Sequence, residues 1–306
     1  MSKKVDFHKL TEENCRVTTV SISHLLELEQ EIRKQQAHGN LDEQFTQEYL
    51  SRFKFTPPQE LVNSQSLIVV AMPRLPTRAT FSWKGKQQSF ILPPTYTAYD
   101  EKRLHIEGLV AEAVGKGGYR IATPTLPLKL LAVHSGIAEY GRNNITYAPG
   151  MGSFMRLTAV YSDMPCETDH WRKVQMMKSC ENCRICQKAC PTGAISKNRF
   201  LLRAEKCITY HNEKKGSIPF PAWIKPQWHN CIVGCITCQK ACPENRSFLH
   251  LVGETADFDE EETLLLLEGA PREKLSESTM KKLQALSLTD YFDELPRNLS
   301  VLIKPH

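Results

Sequence analysis

The chain has 306 residues, a formal net charge of +5, and 41% hydrophobic and 24% charged residues. That is the balance of a soluble globular protein of about two domains, or of one core with an appended module, and it excludes a disordered chain. The mild positive charge is compatible with a polyanionic partner without demanding one.

The apolar run at 67–72 is far short of the roughly 20 residues that cross a bilayer. Met1-Ser-Lys-Lys leads into Val-Asp-Phe-His rather than an apolar run. We therefore expect a cytoplasmic chain with no secretory signal and no membrane contact.

In chain order, residues 1–60 read as a polar helical segment. Over 21–39, Ser23 is a candidate N-cap, Leu25, Leu28 and Ile32 recur at helical spacing, and Gly39 is a stop. Residues 61–170 read as a mixed α/β core. Ser66-Leu-Ile-Val-Val-Ala-Met72, ended by Pro73, predicts a buried strand. Phe81-Ser-Trp-Lys-Gly-Lys turns at Gly85 into a second extended run at 89–92. Residues 100–114 predict a helix with Asp100 as cap, Leu104, Leu109, Val110 and Ala113 as its buried stripe, and Gly115 as its end. A further helix is expected at 124–133, strands at 145–147 and 157–161, and a three-layer arrangement follows.

Residues 171–252 lose apolar periodicity and are dominated by cysteine, so metal ligation supplies stability there as much as a core does. Residues 253–306 read as a C-terminal helical segment, its acidic stretch at 254–262 capping the first helix. The fold class is thus α+β.

Eleven cysteines are present, and all but Cys15 and Cys166 lie between 180 and 242. An odd total with no signal peptide argues against a disulfide framework. Cys183-Arg-Ile-Cys-Gln-Lys-Ala-Cys-Pro191 and Cys235-Ile-Thr-Cys-Gln-Lys-Ala-Cys-Pro243 are two copies of one repeat, and Cys180 extends the first to C-x₂-C-x₂-C-x₃-C-P. This is the ferredoxin run that binds [4Fe–4S] clusters, three thiolates wrapping one cluster and the Cys-Pro thiolate reaching to the other. Zinc would use two C-x₂-C pairs and leave the third Cys and the Cys-Pro unexplained. By this exchange Cys180, Cys183 and Cys186 take Cys242, and Cys235 and Cys238 take Cys190. Spacing leaves the last place open between Cys207 and Cys231.

Cys207-Ile-Thr-Tyr, Lys214-Lys-Gly-Ser-Ile-Pro219 and Gly234-Cys-Ile-Thr-Cys-Gln-Lys-Ala-Cys-Pro-Glu-Asn245 resemble the iron–sulfur domain of epoxyqueuosine reductases, cobalamin-dependent reductases that act on tRNA. Leu295-Pro-Arg-Asn-Leu-Ser-Val-Leu-Ile303 resembles the end of the same core. The resemblance implies that Cys207 completes the second cluster with Cys190, Cys235 and Cys238.

Upstream, Ser135-Gly-Ile-Ala-Glu-Tyr-Gly-Arg-Asn-Asn144 and Gly152-Ser-Phe-Met-Arg-Leu-Thr-Ala-Val-Tyr-Ser-Asp-Met-Pro165 resemble a stretch that epoxyqueuosine reductases share with reductive dehalogenases, in their corrinoid-binding half. This implies a cobalamin near Gly141, Arg142, Asn143, Gly152, Ser153 and Phe154. With no D-x-H-x-x-G motif, it would be held base-off.

The chain also departs from the family. Arg120-Ile-Ala-Thr-Pro124 holds no carboxylate where epoxyqueuosine reductases carry their general acid. Reductive dehalogenases use a Tyr donor beside a basic residue. Tyr96 or Tyr99 stands in a comparable place with Arg156, and Tyr99 and Arg156 are the candidate catalytic pair, the cation favouring the phenolate left after proton transfer.

The function implied is an electron relay through two [4Fe–4S] clusters into a base-off cobalamin, which carries the hard chemistry. The alternative is an electron-transfer protein that reduces a partner. A low-potential donor such as a ferredoxin or flavodoxin is expected. The basic stretch 172–215 either offsets cluster charge or forms a surface for tRNA or an acidic donor.

Overall fold

The computed structural model describes residues 5–303; Met1-Ser-Lys-Lys, which carried the expectation about the start of the chain, lies outside them. In chain order come α1 (His8–Glu12), β1 (Arg16–Ser21), α2 (Leu25–Ala37), α3 (Glu43–Glu48), β2 (Ser66–Pro73), β3 (Thr77–Trp83) and β4 (Lys86–Leu92). Next are α4 (Tyr99–Gly115), β5 (Ile121–Ala122), α5 (Leu128–His134), β6 (Glu139–Tyr140), β7 (Thr146–Tyr147) and β8 (Met155–Ser162). The later elements are α6 (Ile185–Ala189), α7 (Ile208–Asn212), α8 (Thr237–Lys240), β9 (Thr255–Phe258), α9 (Glu260–Leu267), α10 (Glu277–Ala285) and α11 (Leu295–Ile303). No described helix is long and apolar enough to cross a membrane. The chain divides into two compact units. One holds residues up to 73, 100–184 and 198–204; the other holds 74–99, 185–197 and 205 onward.

The first unit is built on a sheet of order β1-β2-β8-β5. β2 lies antiparallel to both neighbours, Val69 opposite Thr18 on one side and Ala159 on the other. Successive side chains of a strand point to opposite faces. Accordingly Ile68, Val70, Met72 and Val160 pack with Leu10 of α1 and Ile106, Val110 and Val114 of α4. Leu67, Val69, Ala71, Ala159 and Tyr161 pack with Leu25 and Leu28 of α2 and Leu131 and Ala132 of α5. Because both faces are covered, β2 reads as an unbroken apolar run. This is the expected three-layer mixed α/β core, each fully buried aliphatic side chain contributing about 1.5–3 kcal/mol.

Three local expectations change in this unit. The N-terminal segment is not wholly helical: Arg16-Val-Thr-Thr-Val-Ser21 forms β1, an edge strand, since β-branched residues fit a half-buried pleated surface. In α4 Leu104 is 58% exposed, and the buried stripe runs instead through Ile106, Val110, Ala113 and Val114. Ser21, not Ser23, supplies the cap ahead of α2, its hydroxyl accepting from the Ser23 amide at 3.2 Å.

One aromatic stack ties the end of this unit's chain to its helices. The Trp171 ring lies between the imidazoles of His24, at 4.3 Å, and His134, at 4.1 Å, with all three planes parallel to within a degree. His24 Nε2 meets Asp169 at 2.7 Å and its Nδ1 faces Glu27 at 3.4 Å. His134 Nδ1 donates to the Arg172 carbonyl at 2.7 Å, and its Nε2 faces Glu31 at 2.9 Å. Trp171 Nε1 donates to Glu27 at 3.0 Å.

The second unit has a sheet of order β4-β3-β9. Lys84 and Gly85 both take positive φ (51° and 72°) in the two-residue turn between β3 and β4, the geometry whose twist suits a hairpin. β9 runs parallel to β3 and sets Phe258 opposite Phe81, the rings stacked at 4.8 Å. Asp259 and Glu262 form a capping box at the start of α9. Leu266 of α9, Leu283 of α10 and Leu299 of α11 join Ala79, Phe81 and Phe258 in one core. The hairpin expected with the 61–170 core therefore belongs to this unit, and the C-terminal segment contributes a strand as well as helices. The acidic residues around Phe258 hide that strand from a hydropathy reading.

Candidate iron–sulfur centre

In the second unit, Cys186, Cys190, Cys207 and Cys235 all lie within the field of Cys238. Cys207 precedes α7, Cys190 follows α6, and Cys235 and Cys238 flank the start of α8, which packs against α6. Burial raises the Cys238 thiol well above its usual range, and Cys235, Cys207, Cys190 and Cys186 push it the same way. Burial likewise takes Cys207 to about 11, with Cys235 and Cys190 adding to the effect. Converging buried thiols are the donor set that a thiolate-bound cluster needs, and bound iron would hold them deprotonated. The set fits a cluster on this ground.

Cys231 differs. It is 1% exposed, its thiol donates to Asn230 Oδ1 at 3.3 Å, and of the other cysteines only Cys235 acts on it. Among the described residues no three His, Cys, Asp or Glu side chains gather closely enough for a single metal ion, whereas a cubane spreads its ligands around a larger body.

Several uncharged groups hold the second repeat in place. Asn230 Nδ2 donates to Cys235 Sγ at 3.2 Å and to Thr237 Oγ1 at 2.9 Å, while its Oδ1 accepts from the Ile236 amide at 3.0 Å. Gly234 has φ +72°, and a Cβ there would come within 2.4 Å of the Tyr96 ring, so only glycine fits. The Tyr96 hydroxyl donates to Glu213. Burial drives that phenol well above the usual tyrosine range, and Glu213, Tyr291 and Cys207 reinforce it.

The C-terminal Arg297-Asn298 pair bolts the same region from α11. Arg297 donates to the carbonyls of Lys215, Ile218, His211 and Asn212. The Asn298 amide donates to Asn212 at 3.0 Å and to Ile232 at 2.8 Å, fully buried. The sequence reading matched this dipeptide by resemblance alone and gave it no role. Polar residues inside an otherwise amphipathic C-terminal helix were the available signal.

In the first unit, the loop carrying Cys180 and Cys183 is held by Arg142. Its guanidinium donates to the carbonyls of Cys180, Glu181 and Cys183, the last at 2.9 Å. Three backbone acceptors are thereby satisfied beside two candidate ligands. Asn144 accepts from the Leu202 amide and Arg199 donates to the Asn40 carbonyl at 3.0 Å, so residues 198–204 of the cysteine-rich segment belong to this unit.

The residues expected around a cobalamin are engaged within their own chain. A Cβ at Gly141 would lie 2.5 Å from the Tyr147 ring, and the Gly141 amide donates to Ile145 at 2.8 Å. Asn143 donates to the Tyr147 hydroxyl at 2.9 Å and accepts from the Ile145 amide. The Gly152 carbonyl accepts from Ala148, the Phe154 amide donates to Met151, and Ser153 and Phe154 are buried. Gly141, Asn143, Gly152 and Phe154 thus use these groups within their own loops, and Arg142 is engaged with the cysteine-bearing loop. Of the candidate catalytic pair, Arg156 is buried in β8 and Tyr99 is 41% exposed at the start of α4.

Residues 179–245 match the family model described as a 4Fe-4S double cluster binding domain. The chain is similar to the epoxyqueuosine reductase of Staphylococcus aureus, 32% identical over 126 residues that span 41% of this chain and 31% of the relative. It is also similar to that of Pseudomonas aeruginosa, 32% identical over 168 residues, 53% of this chain and 45% of the relative. The matched segments thus span less than half of those relatives. In fold it resembles epoxyqueuosine reductase from Streptococcus thermophilus, with a TM-score of 0.67 at 18% identity over 99% of this chain and 81% of that one. An epoxyqueuosine reductase solved with an epoxyqueuosine-modified tRNA-Tyr stem loop gives 0.69 at 20% identity, covering 97% and 82%. Its double-cluster segment, its sequence likeness and its fold agree: the chain carries a double-cluster segment, is similar to epoxyqueuosine reductases over part of their length and shares their fold.

Proposed function

We propose that this chain is an iron–sulfur reductase that carries low-potential electrons on two [4Fe–4S] clusters to a terminal acceptor. In this reading Cys180, Cys183, Cys186 and Cys242 hold the first cluster, and Cys190, Cys207, Cys235 and Cys238 hold the second. The observation that carries it is the convergence of Cys190, Cys207, Cys235 and Cys238, with Cys231 turned toward Asn230. The clusters store and pass single electrons; the protein's part is to fix the thiolates and to place hydrogen-bond donors such as Asn230 on their sulfurs.

The likeness to epoxyqueuosine reductases supports a base-off cobalamin as the acceptor and a tRNA-borne epoxide as substrate, in the cytoplasm; the resemblance to the tyrosine donor of reductive dehalogenases makes Tyr99 and Arg156 the proposed proton-donating pair. The Gly141 amide, the Asn143 side chain and the Phe154 amide bond within their own loops, and Arg120-Ile-Ala-Thr-Pro124 offers no carboxylate. These two observations favour a second reading, an electron-transfer protein that reduces a partner.

One preparation tests both. Purified without oxygen, the protein should hold about eight iron and eight acid-labile sulfide per chain. About four iron, or stoichiometric zinc, ends the cluster reading. Given full clusters, titration with hydroxocobalamin followed in the visible spectrum separates the acceptors. A bound corrinoid sustains the reductase, and no binding at micromolar concentration leaves the carrier.

A further inference from the structure

The two repeats differ in what they turn outward. In the second copy the counterparts of Arg184 and Ile185 are Ile236, 6% exposed, and Thr237, half-buried. In the first, Ile185 of α6 is 45% exposed, one residue before Cys186, with exposed Lys188 on the same helix. Gln187 Nε2 donates to the Ile195 carbonyl at 3.3 Å, which fastens α6 to the loop ending in exposed Lys197. From 182 to 204 the sequence has no carboxylate. A single exposed isoleucine means little by itself. An isoleucine beside a candidate cluster ligand, among cations in a stretch that carries no acid, has the makeup of a small electron-transfer contact with an apolar centre and a charged rim.

We propose that the face of α6, Ile185 with Lys188 and Lys197, is the docking site of an acidic electron-carrier protein. The proposal rests on the cluster assignment above. One electron leaves the reduced carrier and enters the oxidised cluster ligated by Cys186; the carrier is oxidised, the cluster is reduced, and no bond is made or broken. Complementary charge steers the encounter, so the lysines act on the association rate and its salt dependence, and Ile185 acts on the lifetime of the contact. An RNA partner fits less well, since this face centres on an aliphatic side chain rather than on an aromatic ring on which a base would stack.

The test is stopped-flow reduction of the cluster-loaded protein by flavodoxin hydroquinone, an acidic carrier, with dithionite as a small reductant. For the unmodified protein the second-order rate constant should fall steeply from about 50 mM to about 0.5 M salt, as the Debye length shrinks. The double variant K188E/K197E should be about tenfold slower at low salt and lose that slope. I185S should slow the reaction a few-fold with the slope kept. Dithionite should reduce all three at one rate.

The docking face is overturned if the double variant matches the unmodified protein with flavodoxin, or is slowed equally with dithionite, which would mark the lysines as mere offsets to cluster charge. It is overturned too if the variant loses affinity for RNA while its reduction is unchanged. Iron well below about eight per chain sinks the cluster reading itself, whereas full loading with unmoved rates sinks only the docking face.

Discussion

The two copies of Cys-x-x-Cys-Gln-Lys-Ala-Cys-Pro share their ligand letters and almost nothing of their surroundings. The first carries Arg184 and Ile185 between its cysteines, both exposed. The second carries Ile236, turned inward, and is held by Asn230, Gly234, Asn212 and Asn298. The spacing of the thiols is therefore a local property of the repeat. Access, polarity and rigidity come from residues outside it, some of them at the far end of the chain.

The sharpest way to break this comparison is at the ligands themselves. Cys207→Ser should lose one cluster, about half of the iron, while Cys231→Ser keeps both; iron analysis of the two variants decides it, and the opposite pattern reverses the assignment.

A smaller effect is expected from Asn298→Ala, which removes the side-chain donor of the buried Ile232 carbonyl, at about 1–3 kcal/mol, while the Asn212 carbonyl keeps Arg297. Thermal unfolding should report the loss. EPR of the reduced protein should show the second cluster perturbed and the first intact; an unaltered spectrum with a lowered melting temperature would make Asn298 a plain structural residue.

Tyr96→Phe is milder still. It keeps the ring against Gly234 and removes one hydrogen bond to Glu213, at about 1 kcal/mol. The expected sign is a shifted potential for the second cluster alone, and equal shifts in both would detach Tyr96 from that cluster.

The least effect is expected from the stack in the first unit, and it depends on pH. Burial opposes charge on His134, but the Glu31 carboxylate, the Arg172 carbonyl and the charge of Glu27 together raise its pKa. A raised imidazole pKa gives stability that is complete below the unfolded value of about 6.5 and is lost as pH climbs through the folded value. The melting temperature should therefore decline across that window and do so less in His134→Gln; identical slopes would remove His134 as the cause.

Much of the fold was legible where the signal is local. The unbroken apolar run at 66–72 announced a strand covered on both faces, and Lys84-Gly85 announced a hairpin. What the sequence could not convey was partnership at a distance. Nothing in Thr255-Ala-Asp-Phe258 says that it pairs with 78–81, and polar β1 was indistinguishable from its helical neighbours. The cysteine spacing carried the double-cluster domain almost entirely. The loops at 141–143 and 152–154 carry glycine and asparagine, which are as common where a chain folds tightly against itself as where it meets a ligand. Arg142 shows the difference: its guanidinium is spent on the backbone beside Cys180 and Cys183.

The parallel rings around Trp171 have an optical consequence. Of the four tryptophans, Trp83, Trp223 and Trp228 belong to the second unit and Trp171 alone to the first. An indole stacked on imidazoles, with its N–H given to a carboxylate, emits weakly because those neighbours quench it. When the first unit opens, that one indole is released into water. Replacing the other three with phenylalanine would leave a chain whose fluorescence brightens only as the first unit unfolds, an internal lamp for one half of the molecule.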